Sequence, residues 1–260
     1  MRTRWPRILM YHSISQLEDD PNLLCTSPAQ FESQLLYLKQ HNLRGVSVRE
    51  LCRAISTGED KGLIGLTFDD AYEDFLHTAV PILESLGYSA TVFVVAGMPE
   101  ENDWEHAFTP RPRLKLLDAE GVREASERGM EVGSHSMTHA RLSGVKPESL
   151  EREVGGSRRV LSEVLGRAVE GFCYPYGSLD SAAVQAARRA GYGYACGWNT
   201  PVERSAYDLP RIPISERDGL PRFAAKLQVY SQYSAAKRAL LRLRRKAGGT
   251  QEINGDGGGV

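Results

Sequence analysis

Residues 62–70 read Gly62-Leu63-Ile64-Gly65-Leu66-Thr67-Phe68-Asp69-Asp70, an apolar run that stops at two adjacent carboxylates. Its length and composition predict a buried strand with acids at its C-terminal end. The same scheme repeats on either side. Arg7–His12, Ala90–Ala96, Met130–Ser134, Phe172–Tyr174, Tyr192–Gly197 and Leu209–Ile214 read as further strands. Helices are expected from Pro28, after the capping-box pattern of Ser47 and Glu50, over 72–86 with a kink at Pro81, over 118–128, over 147–165 despite Gly155-Gly156, and over 180–190. Residues 97–117 read as a long loop. Alternation of this kind argues an α/β fold with a mainly parallel sheet and helices outside, either a barrel or a doubly wound sheet.

The chain has 260 residues, a formal net charge of -1, 41% hydrophobic and 25% charged residues, as an ordinary soluble globular protein does. No basic excess points to a nucleic-acid partner. The four cysteines (Cys25, Cys52, Cys173 and Cys196) form no CxxC pair and read as reduced thiols. Behind Arg2, Arg4 and Arg7 the apolar run is only Ile8-Leu9-Met10, too short for a leader, and nothing approaches the ~20 apolar residues of a membrane span. The cytoplasm is the default location. One domain is expected over 1–222. Residues 223–246 follow as a basic amphipathic helix that either docks on that domain or rests on anionic lipid at the inner membrane face. A Gly-rich, disordered tail is expected over 247–260.

Adjacent carboxylates at a strand end point in different directions, so one can hold a metal while the other faces its water. The bland alternative for Asp69-Asp70 is a helix N-cap and a first-turn acid. His135-Ser136-Met137-Thr138-His139 also follows a predicted strand; on one helical turn both imidazoles would share a face and reach one ion. His12, Asp69-Asp70, His135, His139 and Tyr176 all lie just past predicted strands, where α/β barrels gather functional groups. Two imidazoles and one carboxylate with open positions have the form of a catalytic metal site.

These residues resemble the polysaccharide deacetylases with the NodB homology domain, carbohydrate esterase family 4, over about residues 7–215. The resemblance implies a distorted (β/α) barrel of the NodB type and hydrolysis of an N-acetyl group from an amino sugar of a polysaccharide, lipid-linked saccharide or glycoconjugate. Thr67-Phe68-Asp69-Asp70 resembles the motif whose first Asp is the general base and whose second is a metal ligand. Ser134–His139 resembles the motif supplying two histidine ligands. Phe172-Cys173-Tyr174-Pro175-Tyr176-Gly177 resembles the one whose tyrosine N–H holds the oxyanion. One divalent ion is implied, zinc first, with cobalt, nickel or iron as alternatives.

Three departures stand out. Cys173 occupies the place of the family's base-orienting Arg, for which Arg211 is a candidate substitute. No clear Asp-Trp motif is present, though Trp198 offers an apolar wall. No histidine follows His139, so the general acid is assigned to His12, after a strand at the start of the chain, as in circularly permuted members of the family. Tyr176, Trp104, Trp198 and Arg211 complete the substrate-contact candidates. Two other readings compete: a hydrolase of a non-sugar C–N bond, and a catalytically inactive carbohydrate-binding barrel.

Overall fold

Eight short strands carry the molecule in the computed structural model, which describes residues 6–17, 20, 22–102, 113–198, 202–203 and 205–228. They are β1 (Ile8–Tyr11), β2 (Arg44–Val46), β3 (Leu63–Phe68), β4 (Thr91–Val94), β5 (Glu131–Ser134), β6 (Gly171–Cys173), β7 (Tyr194–Cys196) and β8 (Ile212–Pro213). Every ladder is parallel, in the order β7-β6-β5-β4-β3-β1-β8. The residues just before β8 pair with β7: Leu209 N–H donates to Ala195 O at 2.9 Å, and Arg211 N–H to Trp198 O at 2.9 Å. The last strand therefore joins β7 to β1 and closes the ring into a distorted (β/α) barrel. The sequence reading did not find β2, which pairs with the first half of β3 on the edge where β4 takes the second half.

Side-chain alternation sorts each strand. Leu9, Tyr11, Leu66, Phe68, Val92, Val94 and Phe172 face outward into the main core under the helices. Ile8, Phe93, Cys173, Tyr194, Cys196 and Leu209 fill the interior. The interior is narrow: a Cβ on Gly133 would stand 2.6 Å from the Phe93 ring, and one on Gly171 would collide with the Tyr194 hydroxyl. Continuing the inward phase past the strand ends reaches His12 from β1, Asp69 from β3 and His135 from β5. Parity alone thus delivers three polar groups to one mouth.

The helices are α1 (Pro28–Gln40), α2 (Val48–Thr57), α3 (Val80–Ser85), α4 (Ala119–Glu127), α5 (Pro147–Leu150), α6 (Ser157–Leu165) and α7 (Ser181–Ala190). Ser47 caps α2 by accepting the Glu50 N–H at 3.2 Å, but the Glu50 carboxylate turns to Arg44 and leaves the expected box half made. A π-turn over Phe75–Ala79 runs without a break into α3, so Pro81 sits inside a continuous helix and leaves one backbone rung unmade just after the π-turn. The helix expected over 147–165 is continuous but not uniform: a π-turn over Glu151–Gly156, holding both glycines, joins α5 to α6.

Residues 220–228 are helical, with Phe223 at zero exposure in the main core. The boundary expected at 222/223 therefore cuts a helix that packs on the barrel. The rest of the basic segment, the Gly-rich tail and Trp104 lie outside the described residues. All four cysteines are free. Among the described residues, no helix is long and apolar enough to cross a membrane.

Candidate active site

Asp69 prolongs β3, its N–H donating to Tyr11 O at 3.0 Å, and its side chain keeps the inward phase. Asp70 and Ala71 then take left-handed φ of 73° and 59°, which swings the second carboxylate away from the first. Asp70 Oδ1 lies 3.5 Å from His135 Nε2 and 3.2 Å from His139 Nε2. It is buried and makes no hydrogen bond. Donors about 2.1 Å from one ion at tetrahedral angles stand about 3.4 Å apart, so these spacings fit a single cation. A buried carboxylate oxygen whose neighbours are two imidazole nitrogens is a donor set that a cation would complete.

The two histidines converge without a helix. His135 extends β5, and its Nδ1 meets Cys173 O at 3.0 Å, turning Nε2 to the site. Ser136 and His139 have φ of 66° and 60°, so residues 135–139 form a reversing loop, not the helical turn their spacing suggested. Their rings still approach to 4.9 Å between centroids. Two contacts brace the loop. Gly97 N–H donates to Met137 O at 2.9 Å, and the buried Glu153 carboxylate accepts from Thr138 N–H and Oγ1 at 3.0 Å each. Burial brings the His135 imidazole down to about 4, so it is the neutral form a cation needs.

Beside this triad, Arg211 seats Asp69. Nη1 donates to Oδ1 at 2.6 Å and Nη2 to Oδ2 at 2.8 Å, a two-pronged pair. The same guanidinium reaches Thr67 Oγ1 at 3.1 Å, Cys173 Sγ at 3.0 Å and, through Nε, Gly197 O at 3.0 Å. Burial works against the Asp69 charge, but Arg211, with His135 and His12, holds its carboxyl below the ordinary value. Arg211 is 2% exposed, so it is not a substrate contact as the sequence reading had it. It stands where the vacated Cys173 position leaves room. Asp69, His135 and Cys173 also bring ligand atoms within 4.8 Å of one another, yet the Arg211 charge already lies between Asp69 and the thiol.

His12 follows β1, with Nε2 4.0 Å from Asp69 Oδ2. Asp74 pins the next residues, accepting from Ser13 Oγ at 2.6 Å and Ile14 N–H at 2.7 Å. Tyr176 adopts φ 58° after β6, and its hydroxyl lies 3.1 Å from His139 Nδ1. Trp198, 46% exposed, lies against Gly177, where a Cβ would meet Trp198 Cβ at 2.6 Å. The structure thus gathers Asp69, Asp70, His135, His139, His12 and Tyr176 at one mouth. Sequence reasoning missed the seat formed by Thr67 and Cys173 and the brace at Glu153. Strand parity signalled the seat; nothing in the sequence signalled the brace.

The site can be set beside known proteins. A family model described as polysaccharide deacetylase matches residues 57–195. The Bacillus subtilis (strain 168) protein YxkH is 25% identical over 213 residues, 80% of this chain and 71% of YxkH. The poly-β-1,6-N-acetyl-D-glucosamine N-deacetylase of Staphylococcus aureus (strain MSSA476) is 26% identical over 196 residues, 73% of this chain and 68% of that protein. Among solved structures, the Streptococcus pyogenes deacetylase PplD in complex with acetate superposes with TM-score 0.72 and 26% identity, covering 85% of this chain and 97% of PplD.

Proposed function

Since the chain belongs to the polysaccharide deacetylase family, we propose that it is a divalent-metal-dependent N-deacetylase that frees the amine of N-acetylglucosamine-type residues in a glycan. The observation that carries this reading is the convergence of Asp70, His135 and His139 beside a carboxylate, Asp69, that Arg211 holds in place. The glucosamine preference draws on the Staphylococcus aureus relative, whose name specifies that polymer.

Asp70, His135 and His139 would hold the ion, which supplies Lewis acidity to an amide carbonyl and makes a water acidic enough to attack near neutral pH. Two imidazoles and a carboxylate suit zinc, and cobalt, nickel or iron would also be accepted. Asp69, fixed by the Arg211 fork, takes the proton of the attacking water. The Tyr176 N–H, aimed by its left-handed turn, donates to the oxyanion of the tetrahedral intermediate. His12 gives a proton to the departing nitrogen. Acetate and a free amino sugar leave. Trp198 offers an exposed apolar face for a sugar ring. The inactive-barrel reading loses its motive, because the Arg missing at Cys173 is supplied by Arg211.

The test is acetate release from N-acetylglucosamine oligomers by the purified, zinc-loaded chain. A chelator should abolish it and added metal restore it. Asp69→Asn and His12→Ala should each lower kcat by about 10²- to 10⁴-fold with bound metal retained. Turnover untouched by the chelator, or undiminished in Asp69→Asn, would falsify the proposal.

A further inference from the structure

The geometry points to a second task for Tyr176: we infer that its phenol is a positioning residue for the metal, acting through His139. The inference rests on the metal-dependent reading above. His139 presents Nε2 to Asp70 at 3.2 Å, so the ring's other nitrogen faces away from the ligand cluster. That nitrogen, Nδ1, meets the Tyr176 hydroxyl at 3.1 Å. A neutral imidazole that ligates through Nε2 carries its proton on Nδ1, so Nδ1 donates and the phenol oxygen accepts. The bond made by the outer nitrogen fixes the tautomer and the plane of the ligating ring.

His135 is served the same way by the Cys173 main-chain carbonyl at 3.0 Å, a partner no substitution removes. For His139 the partner is a side chain, and that side chain is itself held. The Tyr176 and His139 rings lie 4.6 Å apart at 61°, and the Arg141 guanidinium stands 4.0 Å from the Tyr176 ring centroid. The backbone beneath has φ 58°, a region a tyrosine enters only when its surroundings enforce it. One residue thus offers its N–H to the reaction and its O–H oxygen to a ligand.

Tyr176→Phe separates the two tasks, since it keeps the ring, the Arg141 contact and the main-chain N–H. The full chain, stripped of metal, is titrated with Zn²⁺ against a chromophoric chelator and with Co²⁺ followed by visible absorption. The variant should bind Zn²⁺ about 10- to 100-fold more weakly than the parent and give a changed Co²⁺ spectrum. Its metal-free circular dichroism should match the parent's, so that the loss reads as metal affinity and not as unfolding. Parent-like Zn²⁺ affinity with an identical Co²⁺ spectrum would overturn the role of the phenol while leaving the deacetylase reading intact. A parent that takes up no divalent metal would sink both.

Discussion

Arg211 shows how much one side chain can decide. It is 2% exposed, and its hydrogen-bonding nitrogens reach Asp69, Thr67, Cys173 and Gly197. Lysine keeps the charge but cannot span both carboxylate oxygens and the thiol at once. Arg211→Lys should therefore lower kcat at least about 10-fold with zinc content unchanged, because the base is loosened and the ligands are not. Metal analysis beside steady-state kinetics checks this; wild-type kcat would mean that the fork does not matter. The role of Arg211 was only half legible in the sequence. Cys173 marked a missing cation, and Arg211 was the available replacement. The two prolines around it, Pro210 and Pro213, hid the alternation that puts position 211 on the inward face. Asp69 and Asp70 were legible because the pair closes an apolar strand, and His135 because it directly follows the strand read over Met130–Ser134.

Among the elements, the loop over 135–139 and the π-turn behind it work as a unit. The two histidines converge, as their spacing suggests, but from a loop and not from a helical turn. Left-handed φ at Ser136 and His139 depends on contacts from Gly97 and Glu153, which lie far away in sequence. The same holds for the π-turn over Glu151–Gly156. Its extra residue is not written in local propensity; the turn carries the Glu153 carboxylate that reaches Thr138. Glu153→Ala should take the acceptor from the Thr138 N–H and hydroxyl, and because Thr138 is exposed to water the cost should be about 1 kcal/mol in urea unfolding. It should also weaken zinc binding, because the loop that presents His139 loses its brace. Unchanged zinc affinity would show that the loop holds its shape without Glu153.

At the scale of the whole molecule, the barrel interior holds a buried acid of its own. Glu131 is 1% exposed and accepts from Arg49 N–H at 2.9 Å, Thr91 Oγ1 at 2.7 Å and Tyr194 OH at 2.9 Å. Burial raises its pKa despite these donors. The native chain therefore holds this proton more tightly than the unfolded chain. Stability from the group is fullest below the ordinary carboxyl value and declines as pH rises through the raised one. Glu131→Gln, which has no proton to lose, should gain on the parent as pH rises from the ordinary carboxyl value toward neutrality, read from urea midpoints at each pH. Parallel curves across that range would refute the assignment. The closed ring has a consequence of timing. His12 precedes Arg211 by some two hundred peptide bonds, and the segment around Arg211 is what joins β7 to β1. A growing polypeptide thus carries the proposed proton donor and ligands well before the group that steadies the proposed base, and the ring cannot close until that later strand has been made.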